Sequence, residues 1–466
     1  MENPAHTNTM ETSLPATLGW LGIVRLGLVQ TCLGAIVVMM TSTINRVMIV
    51  ELLLPAIVPG LLMALHHAVQ ILRPAWGYRA DLGGRRTPWI IGGMGLLAMG
   101  GFGAALATAL MSAELVAGLA LAIFSFLLIG LGVGAAGTSV LTMLASCVEP
   151  RRRAAAATIV WVMMIFGFAL TAPLAGHYLD PFSNERLIEV TGCVCLIAFV
   201  VSALSVRGVE DKVAGVAVAA RNHVARHSRP PFREAIGQIW NEPAARRFTI
   251  FIFVSMLAYS AQELIVEPYA GLVFSMTPGA TTKLAGVQHG GVLLGMLSVA
   301  FLVSFAGIGT LGAWTVGGCV ASALSLSAVA AGAFASADYP LRAAVFALGV
   351  SNGAFAVSAI GSMMSLAGSG TASREGTRMG LWGAAQAIAF GVGGFLGTAA
   401  VDIARHFLTE PSMAYASVFI GESILFLAAA LLAARLAPTG AAADRSADMN
   451  AKTNHAQREP REARLI

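Results

Sequence analysis

The chain has 466 residues, of which 57% are apolar and only 11% charged, against roughly 25% charged in an ordinary soluble domain. Such a composition excludes a soluble globular protein, and the 51 glycines suit helices that must approach closely in lipid. The formal net charge of +5 is distributed as a membrane-topology signal, not as a nucleic-acid-binding face, so no nucleic-acid partner is expected.

Residues 1–20 are polar and carry no cleavable signal pattern, which predicts a cytoplasmic N-terminal tail. A membrane span needs ~20 predominantly apolar residues. Six qualifying runs follow, near 22–44, 53–72, 89–110, 115–145, 155–176 and 187–206. A polar, arginine-rich stretch at 207–247 separates them from six more, near 248–271, 289–309, 312–336, 341–367, 379–400 and 414–436. The expected organisation is an N-terminal six-helix bundle (21–206), a basic linker (207–247), a C-terminal six-helix bundle (248–436) and a tail (437–466) without apolar periodicity. Within the linker, Phe232, Ile236, Ile239 and Trp240 recur at helical spacing behind Pro230 and Pro231, which predicts a short amphipathic helix.

With both termini in the cytoplasm, five of the 29 Lys and Arg (Arg46, Arg186, Lys283, Arg342 and Arg405) fall outside. The positive-inside rule selects that orientation. The halves echo each other: MIVEL at 48–52 answers LIVEP at 264–268, and LASCVEPRRRAAAATIVW at 144–161 answers LAGSGTASREGTRMGLW at 366–382. Repeats of this kind are typical of transporter folds. Five scattered cysteines give no paired-cysteine motif, and no metal site is expected. No nucleotide-binding loop or metalloprotease motif occurs either, so an enzyme is not expected.

The loop between the second and third runs, WGYRADLGGRRTPW, places Gly77, Asp81, Gly84, Arg85 and Arg86 in the pattern GxxxDxxGRR. The glycines permit a tight turn, and Asp81 can cap or pair with a neighbouring helix. This pattern resembles the cytoplasmic signature of the major facilitator superfamily. The equivalent loop of the second half, FAGIGTLGAW at 305–314, has lost every charge.

Longer segments carry a narrower resemblance. RLGLVQTCLGAIVVMMTSTINRVMIVELLLPA, HHAVQILRPAWGYRADLGGRRTPWIIGGM, PPFREAIGQIWNEPAARRFTIFIFVSMLAYSAQELIVEPYAG and SREGTRMGLWGAAQAIAFGVGGFLGT are similar to the PucC/LhaA family, the bacteriochlorophyll-delivery branch of that superfamily. The resemblance implies an all-α bundle of twelve transmembrane helices in two pseudo-symmetric halves, in the inner or intracytoplasmic photosynthetic membrane. It also implies a non-enzymatic role in assembling light-harvesting antenna complexes. The expected partners are antenna polypeptides, bacteriochlorophyll or its synthesis enzymes, and the lipid bilayer; bacteriochlorophyll is expected as transient cargo and no other cofactor.

Ionisable and amide groups within the spans are costly and therefore functional candidates. Asn45, Arg46 and Glu51 fall at the end of the first run and the turn beyond it. Gln262, Glu263 and Glu267 fall in the outer half of the seventh. An ion pair between Arg46 and Glu267 or Glu263 is the expected closure between them. The alternative is that one glutamate carries a proton in a proton-coupled secondary transporter of a small solute or pigment precursor. His66 and His67 are adjacent on the second run and, at ~100° per residue, point to different faces. Either, or His289 at the expected start of the eighth run near the interface, is a candidate axial ligand for the magnesium of a chlorin, because a neutral imidazole presents one nitrogen donor. The alternative for each is a structural hydrogen bond to a neighbouring helix.

Overall fold

A computed structural model describes residues 17–70, 85–149, 152–210, 240–335, 338–368 and 375–436. The regular structure in them is helical throughout, as lipid demands of a chain whose backbone groups have no water to bond. The helices are α1 (Trp20–Glu51), α2 (Ile57–Val69), α3 (Thr87–Met111), α4 (Leu115–Cys147), α5 (Arg153–Tyr178) and α6 (Asn184–Val206). The second half contributes α7 (Pro243–Phe274), α8 (Pro278–Ser304), α9 (Leu311–Ala331), α10 (Leu341–Gly368), α11 (Glu375–Phe407) and α12 (Pro411–Ala434). Among the described residues eleven of these are long and apolar enough to cross a membrane, and α2 is the shorter twelfth. The run anticipated for α2 extends to 72, beyond the last described residue of that segment, Gln70.

Several helices begin before their apolar run does. Proline near the first position opens α3, α7, α8 and α12, where its missing N–H costs nothing and its fixed φ is already helical. Thr277 caps α8 by accepting from the Ala280 N–H at 3.2 Å, and Ser183 and Thr310 do the same for α6 and α9. The early start of α8 corrects one expectation. His289 lies eleven residues inside the helix and is buried, not near the interface, because the Thr and Lys of the first turns hide the helix start from a hydropathy reading.

α1 outlasts its apolar run at 22–44. Asn45 and Arg46 lie on the helix, which continues to Glu51, so that MIVEL at 48–52 closes it. The helix continues through two π-wound stretches, Met39–Ile44 and Val47–Glu51. Such wide turns are rare and concentrate at functional sites.

The apolar core is divided. One buried cluster is drawn from residues 18–209 with Leu264, and another from residues 248–433. A third and smaller one, Val38, Ile165, Phe168, Ala172, Ala285, Val292 and Met296, joins α1 and α5 to α8. The halves therefore meet along two flanking seams, α5 with α8 and α2 with α11, with α1 and α7 between them. The end of the bundle bearing residues 17 and 436 is termed the terminal end, and the opposite end, with the α1–α2 and α7–α8 turns, the distal end. The linker helix expected over 232–240, the two tails, and Gly77, Asp81 and Gly84 of the loop pattern lie largely or wholly outside the described residues.

Candidate functional site

Asn45 and Arg46, singled out on α1, reach α7 and the α7–α8 turn at the distal end. The Asn45 side-chain amide donates to the Leu264 carbonyl at 2.8 Å, and the Thr43 and Thr282 hydroxyls are 2.9 Å apart. Arg46, which is buried, donates to the Met276 carbonyl at 2.7 Å. α1 is thus tied to α7, to α8 and to the turn between them.

The anticipated ion pair between Arg46 and Glu267 or Glu263 does not form. Arg46 pairs with Glu51 on its own helix. The two are five positions apart, a spacing that an α-helix does not stack but that the i→i+5 winding of a π-helix does. Glu267 is buried beside Ser42, within electrostatic reach of Arg46 and of Glu263, which is part-buried. Gln262 is wholly buried, and neither of its amide atoms has a hydrogen-bond partner among the described residues. A buried polar group left in this state carries a desolvation penalty, which a polar ligand, a proton carrier or a water would relieve.

The three histidines are in three different places. His66 is buried, with its Nε2 2.9 Å from the Gln70 amide nitrogen, and its carbonyl is packed against Gly130 of α4. His67 stands edge-on to it, ring centroids 4.6 Å apart and planes at 81°, as the rotation along the helix requires. Its Nδ1 is 2.9 Å from the Met63 carbonyl, and its ring stacks on Phe390 of α11 at 5.9 Å. His289 packs against Phe168 across the α5–α8 seam, 4.8 Å between centroids.

Of the three, His67 lines a cleft of about 300 Å³ between α2 and α11. The cleft's other walls are apolar, among them Leu61, Ala64, Ala387, Ile388 and Phe395. Leu61 and Ile388 are 53% and 49% exposed, so the cleft is open, with apolar side chains at its mouth.

At the terminal end, Arg86 and Thr87 begin α3. Their backbone N–H groups donate to the Glu210 carboxylate at 2.7 and 3.0 Å, and the Thr87 hydroxyl at 2.8 Å. The start of the linker thus caps the helix that follows the loop pattern, satisfying N–H groups with no partner inside the helix. Arg85 is the only other described member of that pattern. In the uncharged loop of the second half the cap is local, the Thr310 hydroxyl accepting from the Ala313 N–H at 3.2 Å. Gly307 and Gly309 take positive φ of 63° and 76°, and the Trp314 indole donates to the Ile308 carbonyl at 2.9 Å.

Sequence reasoning missed four acids. Glu210 was lost in a charged linker. Asp180 and Asp402 were passed over because they lie near the ends of apolar runs. Glu422 is the clearest omission: it is the lone acid of α12, buried, with neither oxygen partnered among the described residues. The rule that intramembrane acids are functional candidates applies to it as it does to Glu267.

Comparison with known proteins agrees with this architecture. Residues 43–441 match the family described as PUCC protein. The chain belongs to the PucC family. It is 53% identical over 433 residues, 92% of this chain and 97% of the relative, to a Rhodobacter capsulatus protein called "Bacteriochlorophyll synthase 44.5 kDa chain". It is 27% identical to "Protein PucC" of the same organism, covering 90% and 92% of the two chains. Among solved structures, a POT family transporter in complex with a thioalcohol-conjugated peptide superposes with a TM-score of 0.64 at 12% identity, covering 90% and 96%. That likeness establishes the major-facilitator-type fold and nothing about substrate. The PucC-family protein is thus a multi-pass membrane protein related to light-harvesting assembly factors.

Proposed function

We propose that this PucC-family protein is a non-enzymatic assembly factor for bacterial light-harvesting antenna complexes, holding bacteriochlorophyll, antenna polypeptide or both within the bilayer. The observation that carries the reading is the open α2–α11 cleft, which has one imidazole in an otherwise apolar wall; in this reading its mouth faces lipid. Cargo that lives in the bilayer can enter such a cleft sideways, without passing through water. A volume of about 300 Å³ is at the small end of ligand sites. It takes one edge of a flat macrocycle or a prenyl tail, the rest remaining in lipid. The relatives supply the chemistry of the cargo: one is named for bacteriochlorophyll, and the PucC name recurs in three photosynthetic bacteria.

In this reading His67 contacts the pigment, His66 bonds Gln70 within α2, and His289 packs across the α5–α8 seam. Small residues beside the cleft, Ala64, Ala68 and Gly391, let a single antenna helix pack closely. Despite the word "synthase" in one relative's name, the PucC family and the transporter-type fold argue for handling of pigment, not its synthesis. The terminal end faces the cytoplasm of the inner or intracytoplasmic membrane, as the distribution of Lys and Arg supports.

The test is isolation from a phototrophic host. Bacteriochlorophyll absorbance and antenna polypeptide should accompany the wild-type protein, and the pigment share should fall severalfold in His67→Phe. Isolation with neither pigment nor antenna polypeptide would overturn the proposal. Uptake of a solute into proteoliposomes that needs a pH gradient and is lost in Glu267→Gln would replace it with proton-coupled transport.

A further inference from the structure

Two carboxylates at the distal end have no part in the site described so far, and they are related by the repeat. Asp402, near the end of α11, accepts from the backbone N–H groups of Ala56 and Ile57 at 3.0 and 2.7 Å. Those residues are the cap and first turn of α2, in the other half. Asp180, just beyond α5, accepts from the Gly279 N–H at 3.2 Å and the Thr277 hydroxyl at 3.1 Å. Those residues are the first turn and cap of α8, again in the other half. Lys283 approaches the same carboxylate at 3.9 Å.

The arrangement is reciprocal. The N-terminal half caps a helix of the C-terminal half, and the C-terminal half caps one in return. Each contact uses the orphan N–H groups and partial positive charge of a helix start. Each is set at a point of close helix approach: a side chain at Gly279 would overlap the Asp180 carboxylate, and one at Gly60 would overlap Thr398 of α11. At Gly176 a Cβ would stand 2.5 Å from the Gly279 carbonyl.

We propose that Asp180 and Asp402 are a symmetry-related pair of clasps, each closing a helix start in the opposite half, so that the distal end stays shut and the halves part at the terminal end. The bonds of Thr43, Asn45 and Arg46 close the middle of the same end; the clasps close its two flanks. This holds whatever the cargo is. It assigns the two aspartates a positioning role, and it makes the α2–α11 cleft a wedge pinned at its distal tip.

Pulsed electron–electron spectroscopy on the full chain tests it. Spin labels at Leu115→Cys and Met413→Cys, both exposed positions at the distal starts of α4 and α12, report the separation of the halves there, in a Cys193→Ser background. Wild type and each single variant, Asp180→Ala or Asp402→Ala, should show one dominant distance. The double variant should raise the fraction of a longer distance about tenfold, equivalent to about 1.4 kcal/mol. A distal distribution in the double variant unchanged from wild type would overturn the proposal. Should the alanine pair fail to fold, Asp180→Leu with Asp402→Leu keeps the branched side-chain shape while removing every acceptor oxygen of both clasps. The same increase is expected of it, and the same absence of change would be fatal.

Discussion

The α5–α8 and α2–α11 seams occupy equivalent places in the two-half architecture, and both carry an aspartate clasp at the distal end, yet they continue differently. Beyond its clasp, α5–α8 stays closed. Gly286 admits the Pro173 ring, Phe168 packs on His289, and a separate apolar cluster fills the join. Beyond Gly60 and Thr398, α2 and α11 part around the His67 cleft, whose walls remain half exposed. Two helix pairs in equivalent places are thus a packed join and an opening. Under the proposed function the difference puts cargo entry on the α2–α11 side, and it gives each seam a distinct response to mutation.

The largest expected effect tests the closed seam. Phe168→Ala removes a buried ring from the cluster and should lower stability by roughly 3 kcal/mol, the low end for truncating a buried phenylalanine. Phe395→Ala, in the wall of the cleft, deletes the same ring from a surface that is already open and should cost no more than about 1 kcal/mol. Thermal unfolding in one detergent compares the two. Equal losses would mean that the seams are packed alike and that the cleft is not a true opening.

Next in size is the pin between the seams. Arg46→Met deletes the bond to the Met276 carbonyl and the pair with Glu51 together, and leaves a part-buried carbonyl without its donor. A loss of about 2 kcal/mol is expected, from the range for hydrogen bonds to charged groups. Glu51→Gln, whose residue is 37% exposed at the side chain, should cost under about 1 kcal/mol. Should Glu51→Gln prove as damaging as Arg46→Met, the ion pair and not the carbonyl bond would be what holds α1 to the α7–α8 turn.

What was legible in the sequence follows from which forces act locally. The spans were legible because a lipid-facing helix must be apolar over its whole length, and the two halves because a charged linker interrupts the pattern. That α1 and α7 bear facing polar groups was also legible, since such groups are rare in lipid. The partner of Arg46 was not. Choosing Glu51 over Glu267 depends on π winding, and neither apolar periodicity nor residue identity announces where a helix widens. His289 was displaced to the interface because a Thr-rich first turn reads as loop. Asp180 and Asp402 were invisible for a different reason. Their partners are backbone N–H groups, which every residue but proline offers, so only the fold shows which ones they meet, 99 and 345 or 346 positions away along the chain.

The smallest expected effect on stability discriminates most sharply for function. Ala387 lines the cleft from α11 and is part-buried. Ala387→Leu adds apolar volume to space that protein atoms do not occupy. Overpacking a filled core costs about 1–3 kcal/mol, but here the change should stay within about 0.5 kcal/mol, as for an accommodating surface site. Pigment isolated with the protein should nonetheless fall severalfold, because the added side chain takes the place of cargo. The control is Ala285→Leu, a buried position in the closed seam, which should lose stability by the full overpacking cost. If Ala387→Leu leaves bound pigment at the wild-type level while its melting point is also unchanged, pigment does not sit between α2 and α11. The imidazole of His67 then serves the stacking on Phe390 and no cargo.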